Sequence, residues 1–174
     1  TVDLEATGGA IGEAFSQADG ASGTVSAAAV VTEKQPEITT EELSSIKDVL
    51  GTFSTSFKTS GASRSTNLQV GAAKINGRVL MPGEVLSGYE CMQPFTVANG
   101  YRAATAYENG RSVDSIGGGV CQVSTTLYNA VYRSGLGEES ITFRRSHTFE
   151  PNYITPGQDA TVSWEQPDFR FKNT

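Results

Sequence analysis

One stretch constrains this chain more than any other: Ser115-Ile-Gly-Gly-Gly-Val-Cys-Gln-Val-Ser-Thr-Thr-Leu-Tyr-Asn-Ala-Val-Tyr-Arg-Ser-Gly135. Consecutive glycines at Gly117, Gly118 and Gly119 read as a tight turn. From Val120 the apolar positions Val120, Val123, Leu127, Ala130 and Val131 recur at helical spacing, and Gly135 stands where a C-terminal cap belongs. The spacing therefore predicts a helix with Cys121 in its first turn. Unpaired N–H groups and the positive end of the helix dipole stabilise a thiolate there, which predicts a lowered thiol pKa.

A nucleophilic cysteine needs a base, and the chain has a single histidine, His147. Asp159 follows after a turn, so the order Cys121, His147, Asp159 suits a helix-borne cysteine facing two strands, one with the base and the next with its orienting carboxylate. On this reading Cys121 attacks an amide carbonyl, His147 moves the proton and Asp159 holds the imidazole. Gly119, the Cys121 and Gln122 N–H groups or the Gln122 side chain would hold the oxyanion. Arg64 and Asn67, one helical turn apart, are candidate substrate contacts; a surface salt bridge and a helix cap are their plainer readings. Cys121 also reads as a small buried residue, His147 as a histidine bonded at a strand end, and Asp159 as a turn residue.

The 174 residues suffice for one domain plus part of another. A net charge of -6 argues against nucleic acid or anionic lipid as a partner. The longest mostly apolar run, Val25 to Val31, is far too short to span a membrane. The chain opens on Thr1 without a charged and apolar leader, so its start reads as trimmed and a membrane anchor is expected only in a missing N-terminal part. Two cysteines, Cys91 and Cys121, lack zinc-finger spacing but could form one bridge. No cofactor is expected. Cys121, His147 and Asp159 have acceptable metal-ligand chemistry but no recognised spacing, so no metal site is assigned.

In chain order the patterning predicts a strand at Val2 to Glu5, a weak helix around Ile11 to Ala18 and a strand from Thr24 to Thr32. Thr39-Thr-Glu-Glu42 is a capping box opening a helix to about Leu50. Thr52 to Thr59 reads as a strand with Phe53 and Phe57 inward, Arg64 to Ala73 as a helix with Leu68, Ala72 and Ile75 at helical spacing, and Asn76-Gly77 as a turn. Short extended pieces at Val79 to Met81 and Val85 to Tyr89 precede an irregular region, Gln93 to Arg111, with one strand at Tyr101 to Tyr107. Beyond the central helix, strands are expected at Ser140 to Arg145 and Asp159 to Trp164, with an edge strand at Phe169 to Phe171. The fold class is α+β, a mixed or antiparallel sheet packed on the central helix, similar to the transglutaminase-like branch of papain-type enzymes.

Several pieces together resemble the VanW family. They are Phe53-Ser-Thr-Ser-Phe57, Arg64 with Asn67, Ile75-Asn-Gly77, Pro82-Gly-Glu84, the block from Gly117 to Ala130, Arg145-Ser-His147, Tyr153, and Pro156-Gly-Gln-Asp-Ala-Thr-Val162. Cys91 departs from the family pattern, so no role for it is inherited. The resemblance divides the chain into residues 48–174, VanW-like, and residues 1–47, similar to the end of a peptidoglycan-binding-like domain that commonly precedes it. It implies an extracytoplasmic protein of a bacterial cell envelope, most often Gram-positive, with peptidoglycan or its stem peptides as partner. It supplies no reaction. An amide hydrolase or acyl transferase using Cys121, His147 and Asp159, and a wall-binding or scaffolding module without catalysis, both remain open.

Overall fold

The computed structural model describes residues 1–18, 23–33, 35–108, 111–163 and 167–174. The chain divides into two units, Thr1–Asp48 and Val49–Thr174.

In the first unit, α1 runs from Leu4 to Gln17. The strand expected at Val2 to Glu5 is instead the cap and opening turn of this helix: the Asp3 carboxylate accepts from the Ala6 N–H at 2.9 Å. Thr7, Gly8 and Gly9 are poor helix formers, which masks the helix's true start. Of the strand expected at Thr24 to Thr32, a single antiparallel bridge remains, Val2 to Val31. Helix α2, Thr40–Ser45, carries the expected capping box. The Glu42 N–H donates to Thr39 Oγ1 at 3.2 Å and the Thr39 N–H to Glu42 Oε2 at 2.7 Å. It stops well short of Leu50. The Ser44 and Ser45 hydroxyls donate back to the carbonyls of Glu41 and Glu42, competing with helix continuation, and Ile46 leaves in an extended conformation.

The second unit holds α3 (Ala62–Ile75), β1 (Val85–Ser87), α4 (Gly88–Met92), β2 (Ala103–Glu108), β3 (Arg111–Ile116), α5 (Cys121–Tyr132), β4 (Ile141–Phe143) and β5 (Arg170–Lys172). The architecture is α+β with small antiparallel sheets. One sheet has the order β1-β5-β4, with Leu86 and Ile141 both in register with Phe171. The last strand is therefore central rather than the edge expected of it. The other sheet is the β2–β3 hairpin, from Ala103 opposite Ile116 to Glu108 opposite Arg111. Strand β3 was not expected, because Arg-Ser-Val-Asp-Ser-Ile is poor in strand formers; the turn read at Asn109-Gly110 lies outside the described residues.

The core gathers Met92, Tyr101, Val120, Tyr128, Val131, Ala160, Val162 and Phe169. Helix α5 is its middle: Tyr128 meets Phe169 edge-to-face at 5.6 Å, and Val123 lies against Gly71 of α3. Its buried face is more polar than the apolar spacing suggests, since Gln122, Ser124, Thr125 and Asn129 are all buried while Val123, Leu127 and Ala130 are only half-buried. Those polar groups serve backbone that lies outside any sheet. Thr125 Oγ1 donates to the Ala160 carbonyl and accepts from its N–H, both at 3.1 Å, and the Asn129 amide donates to the Gln158 carbonyl at 2.7 Å.

This explains why Asp159 to Val162 is not a ladder strand, although it reads as one; Trp164 lies outside the described residues. The same holds for Thr52 to Thr59. Gly51 presses so close to α5 that a Cβ there would sit 2.2 Å from the Ala130 carbonyl oxygen. The segment beyond it is held by side chains of α5 rather than by a strand partner: Thr55 and Thr126 hydroxyls lie 2.8 Å apart. Phe53 sits half-buried beneath the Arg133 guanidinium at 4.5 Å, and Phe57 stays exposed. Val79 to Met81 forms no strand. Cys91 and Cys121 are both free, so the bridge considered above is absent.

Candidate functional site

The glycine turn sets the site. Gly118 packs against β2, where a Cβ would lie 2.1 Å from the Ala104 carbonyl oxygen, so no side chain fits. Asn67, fully buried on α3, fastens this turn from the other side. Its amide donates to the Arg102 carbonyl at 2.9 Å and the Gly118 carbonyl at 3.0 Å, and its oxygen accepts from the Arg102 N–H at 2.7 Å. With every polar atom engaged, Asn67 acts on the backbone and is not among the residues lining the cavity.

Directly after the turn, Cys121 opens α5. Its thiol donates to the Val162 carbonyl at 3.2 Å. Burial pushes the Cys121 thiol pKa up, and the nearby Asp159 carboxylate adds to the rise while Arg64 opposes it. That is the reverse of the lowering expected from the helix start: desolvation outweighs the dipole, and the resting group is a neutral thiol.

His147 and Asp159 come together as the sequence order suggests they can. Thr161 donates to the Arg145 carbonyl through both its N–H and its hydroxyl, each at 2.9 Å, which lays the two segments side by side. His147 Nδ1 then lies 2.6 Å from Asp159 Oδ2, and the His147 N–H donates to the same oxygen. Burial works to raise the Asp159 pKa, but the bonds from His147 outweigh it and hold the carboxyl below the usual carboxylate range. Arg144, which the sequence reading passed over, supports the pair by donating to the Asp159 carbonyl at 2.8 Å and to that of Gly157. With Nδ1 committed to Asp159, Nε2 is the ring nitrogen left for other chemistry.

Cys121 and His147 line one cavity of about 950 Å³, together with Gly119, Gln122, Arg64 and Tyr153. In this state the thiol is turned to Val162 and makes no hydrogen bond with the imidazole. Gln122 is fully engaged. Its Oε1 accepts from Arg64 at 2.7 Å, its Nε2 donates to Thr55 Oγ1 at 2.9 Å and the Ser56 carbonyl at 3.1 Å, and its N–H donates to the Gly119 carbonyl at 3.0 Å. The N–H groups of Gly119 and Cys121 have no backbone partner among the described residues, and the Cys121 N–H lies against its own sulfur. Arg64 also donates to Ser60 at 2.7 Å, so its charge is held by uncharged partners at the cavity wall. Burial pushes the Tyr153 phenol well above its ordinary pKa, opposed by the nearby Thr125 hydroxyl and Arg64.

Tyr107, Asp114 and Phe149 also line the cavity and were missed as site residues. The period-two pattern of Thr105 and Tyr107 was the available signal; it needed β3 to become a surface. Among the described residues no three His, Cys, Asp or Glu side chains converge as metal ligands, and no helix is long and apolar enough to cross a membrane.

Residues 63–174 match the family described as "VanW like protein", and the chain belongs to that family. It is 42% identical over 139 residues to the uncharacterized protein YoaR of Bacillus subtilis, an alignment covering 79% of this chain and 45% of YoaR. It is 30% identical over 112 residues to the vancomycin B-type resistance protein VanW of Enterococcus faecalis, covering 62% of this chain and 40% of that protein. The chain thus spans less than half the length of these relatives. No solved structure matches it.

Proposed function

We propose that the second unit is an extracytoplasmic cell-envelope module that takes an amide of a peptidoglycan stem peptide into the Cys121 cavity and cleaves or exchanges it, in the manner of transglutaminase-like and papain-type enzymes. One observation carries the reading: the cavity that holds the Cys121 thiol also holds an imidazole whose Nδ1 is fixed at 2.6 Å from a buried carboxylate. The Enterococcus relative's name, a vancomycin B-type resistance protein, supports a setting in the cell envelope.

The chemistry begins from a neutral thiol. A bound amide displaces the Cys121 hydrogen bond to Val162, His147 Nε2 accepts the thiol proton, and the sulfur attacks the carbonyl carbon. Asp159 stabilises the imidazolium that forms. The N–H groups of Gly119 and Cys121 hold the oxyanion, and His147 returns its proton to the departing amine. The thioester then passes its acyl group to water, giving hydrolysis, or to a second amine, giving transfer.

A second reading rests on the thiol itself. A half-buried cysteine whose pKa is raised, bonded to a backbone carbonyl, also suits a cavity that holds a wall peptide without cutting it. The two readings separate by incubating the protein with synthetic stem peptides and following masses. Hydrolysed or exchanged peptide that disappears in both Cys121→Ala and His147→Ala supports amide chemistry. Saturable binding of intact peptide, unaffected by His147→Ala and without turnover, supports the binding module.

A further inference from the structure

The β2–β3 hairpin contributes a wall to the cavity that amide chemistry does not use. Alternation along the strands puts Thr105 and Tyr107 on one face, and their register partners Asp114 and Ser112 lie beside them on the same face. Tyr107 is 57% exposed, yet it does not stand alone: its ring touches that of Phe149, with centroids 4.3 Å apart. Phe149 in turn meets the His147 ring edge-to-face at 4.9 Å. A continuous aromatic shelf therefore leads from the imidazole out along the cavity wall.

We propose that this shelf is a carbohydrate subsite, in which Tyr107 and Phe149 stack on a pyranose ring and Asp114 and Thr105 take hydrogen bonds from its hydroxyls. A sugar ring presents C–H groups on its faces and hydroxyls at its rim, and the hairpin offers the complement to both. Aromatic rings pair a large apolar face with low entropy cost on ordering. Asp114 is exposed and has no hydrogen bond or ion pair among the described residues, so its carboxylate is available to accept from a pair of adjacent hydroxyls. Charge decides against the other common ligand of an aromatic platform, a nucleic-acid base. Asp114 and Glu150 line this part of the cavity, and the chain carries a net -6, which repels a phosphodiester but not an uncharged sugar.

The proposal deepens the peptidoglycan reading by assigning the cavity a glycan contact beside its peptide contact, and it does not require Cys121 to be reactive. The test titrates the 174-residue chain calorimetrically with the β-linked tetramer of N-acetylglucosamine and with the matching glucose tetramer. Saturable binding of either supports pyranose stacking, and preference for the acetamido sugar assigns the source to an amino-sugar glycan. Tyr107→Ala is expected to weaken binding about tenfold, the size typical of truncating a ring that carries contact energy, and Tyr107→Trp to restore it. Asp114→Ala is expected to weaken it as well. Because Tyr107 is largely exposed, these variants should keep the wild-type unfolding midpoint, which is measured alongside.

Absence of binding by folded protein at millimolar sugar, or Tyr107→Ala binding as tightly as wild type, overturns the proposal. So does capture of an apolar peptide on the shelf with no affinity for either sugar. Stem-peptide turnover on the same preparations scores the amide reading separately, so either idea fails without taking the other with it.

Discussion

His147 meets one oxygen of Asp159 twice: its backbone N–H and its ring Nδ1 each lie 2.6 Å from Oδ2. A single carboxylate oxygen thus fixes both where the histidine's main chain runs and which way its ring faces. Asp159 is only 2% exposed, so this oxygen has little water to fall back on.

Asp159→Asn therefore changes two measurable things. If the cavity turns over an amide, the rate should drop about 10³–10⁴-fold, as expected when the group that sets the imidazole's tautomer loses its charge. Stability should also lose pH dependence. The folded carboxyl titrates below its unfolded value, so the stabilisation is complete above the ordinary carboxylate pKa and is lost as pH falls through the folded one. Urea midpoints from neutral to acid pH should fall for wild type and flatten for the variant; parallel curves would remove Asp159 from the account.

Cys121 should behave as a sluggish thiol. Its raised pKa means that the thiolate fraction, and with it the rate of iodoacetamide labelling, climbs with pH above about 8.5, the ordinary cysteine value, without an early plateau. Peptide mapping separates Cys121 from Cys91, whose pKa burial also raises. Labelling of folded protein should be slower than after unfolding. A plateau at neutral pH would mean that the thiol leaves Val162 readily and that His147 already activates it.

Ser124→Ala should stabilise the protein. The Ser124 hydroxyl is fully buried on α5 with no hydrogen-bond partner among the described residues, and removing an unsatisfied polar group while raising helix propensity is worth about 1 kcal/mol. Chemical denaturation measures it. A loss of stability instead would reveal a water or other partner for that oxygen.

Gly118→Ala should do the opposite. With the Ala104 carbonyl 2.1 Å from the site of the new Cβ, either β2 or the glycine turn must move, at a cost of roughly 3 kcal/mol. Because the turn feeds directly into Cys121, the variant should also alter labelling of that thiol under conditions where the protein is still folded.

The residues that could be read from the chain were those whose chemistry is local. The Thr39–Glu42 capping box, helix α3, the glycine turn and the helix after it all follow from neighbours within a few positions. What stayed hidden depends on distant partners. Gly51 directly follows the helix end expected at about Leu50, yet its lack of a side chain answers to Ala130 of α5. Thr125 and Asn129 broke no pattern as polar residues in a helix, and only the fold shows them serving the backbone of residues 158–160 in place of a strand. The pairing of His147 with Asp159 was legible as an order of residue types. The direction of the Cys121 pKa was not, because it follows from the desolvation that the folded surroundings impose on the sulfur.

Strand β5 lies between β1 and β4 although it follows both in the chain, at residues 170–172. The two flanking strands do not pair with each other, so the three-stranded sheet has no ladder until β5 enters it, and its pairing with β1 joins Val85 to Lys172. Contacts between such distant positions carry the largest loop-closure cost, which makes residues 170–172 the slow, closing step of this sheet.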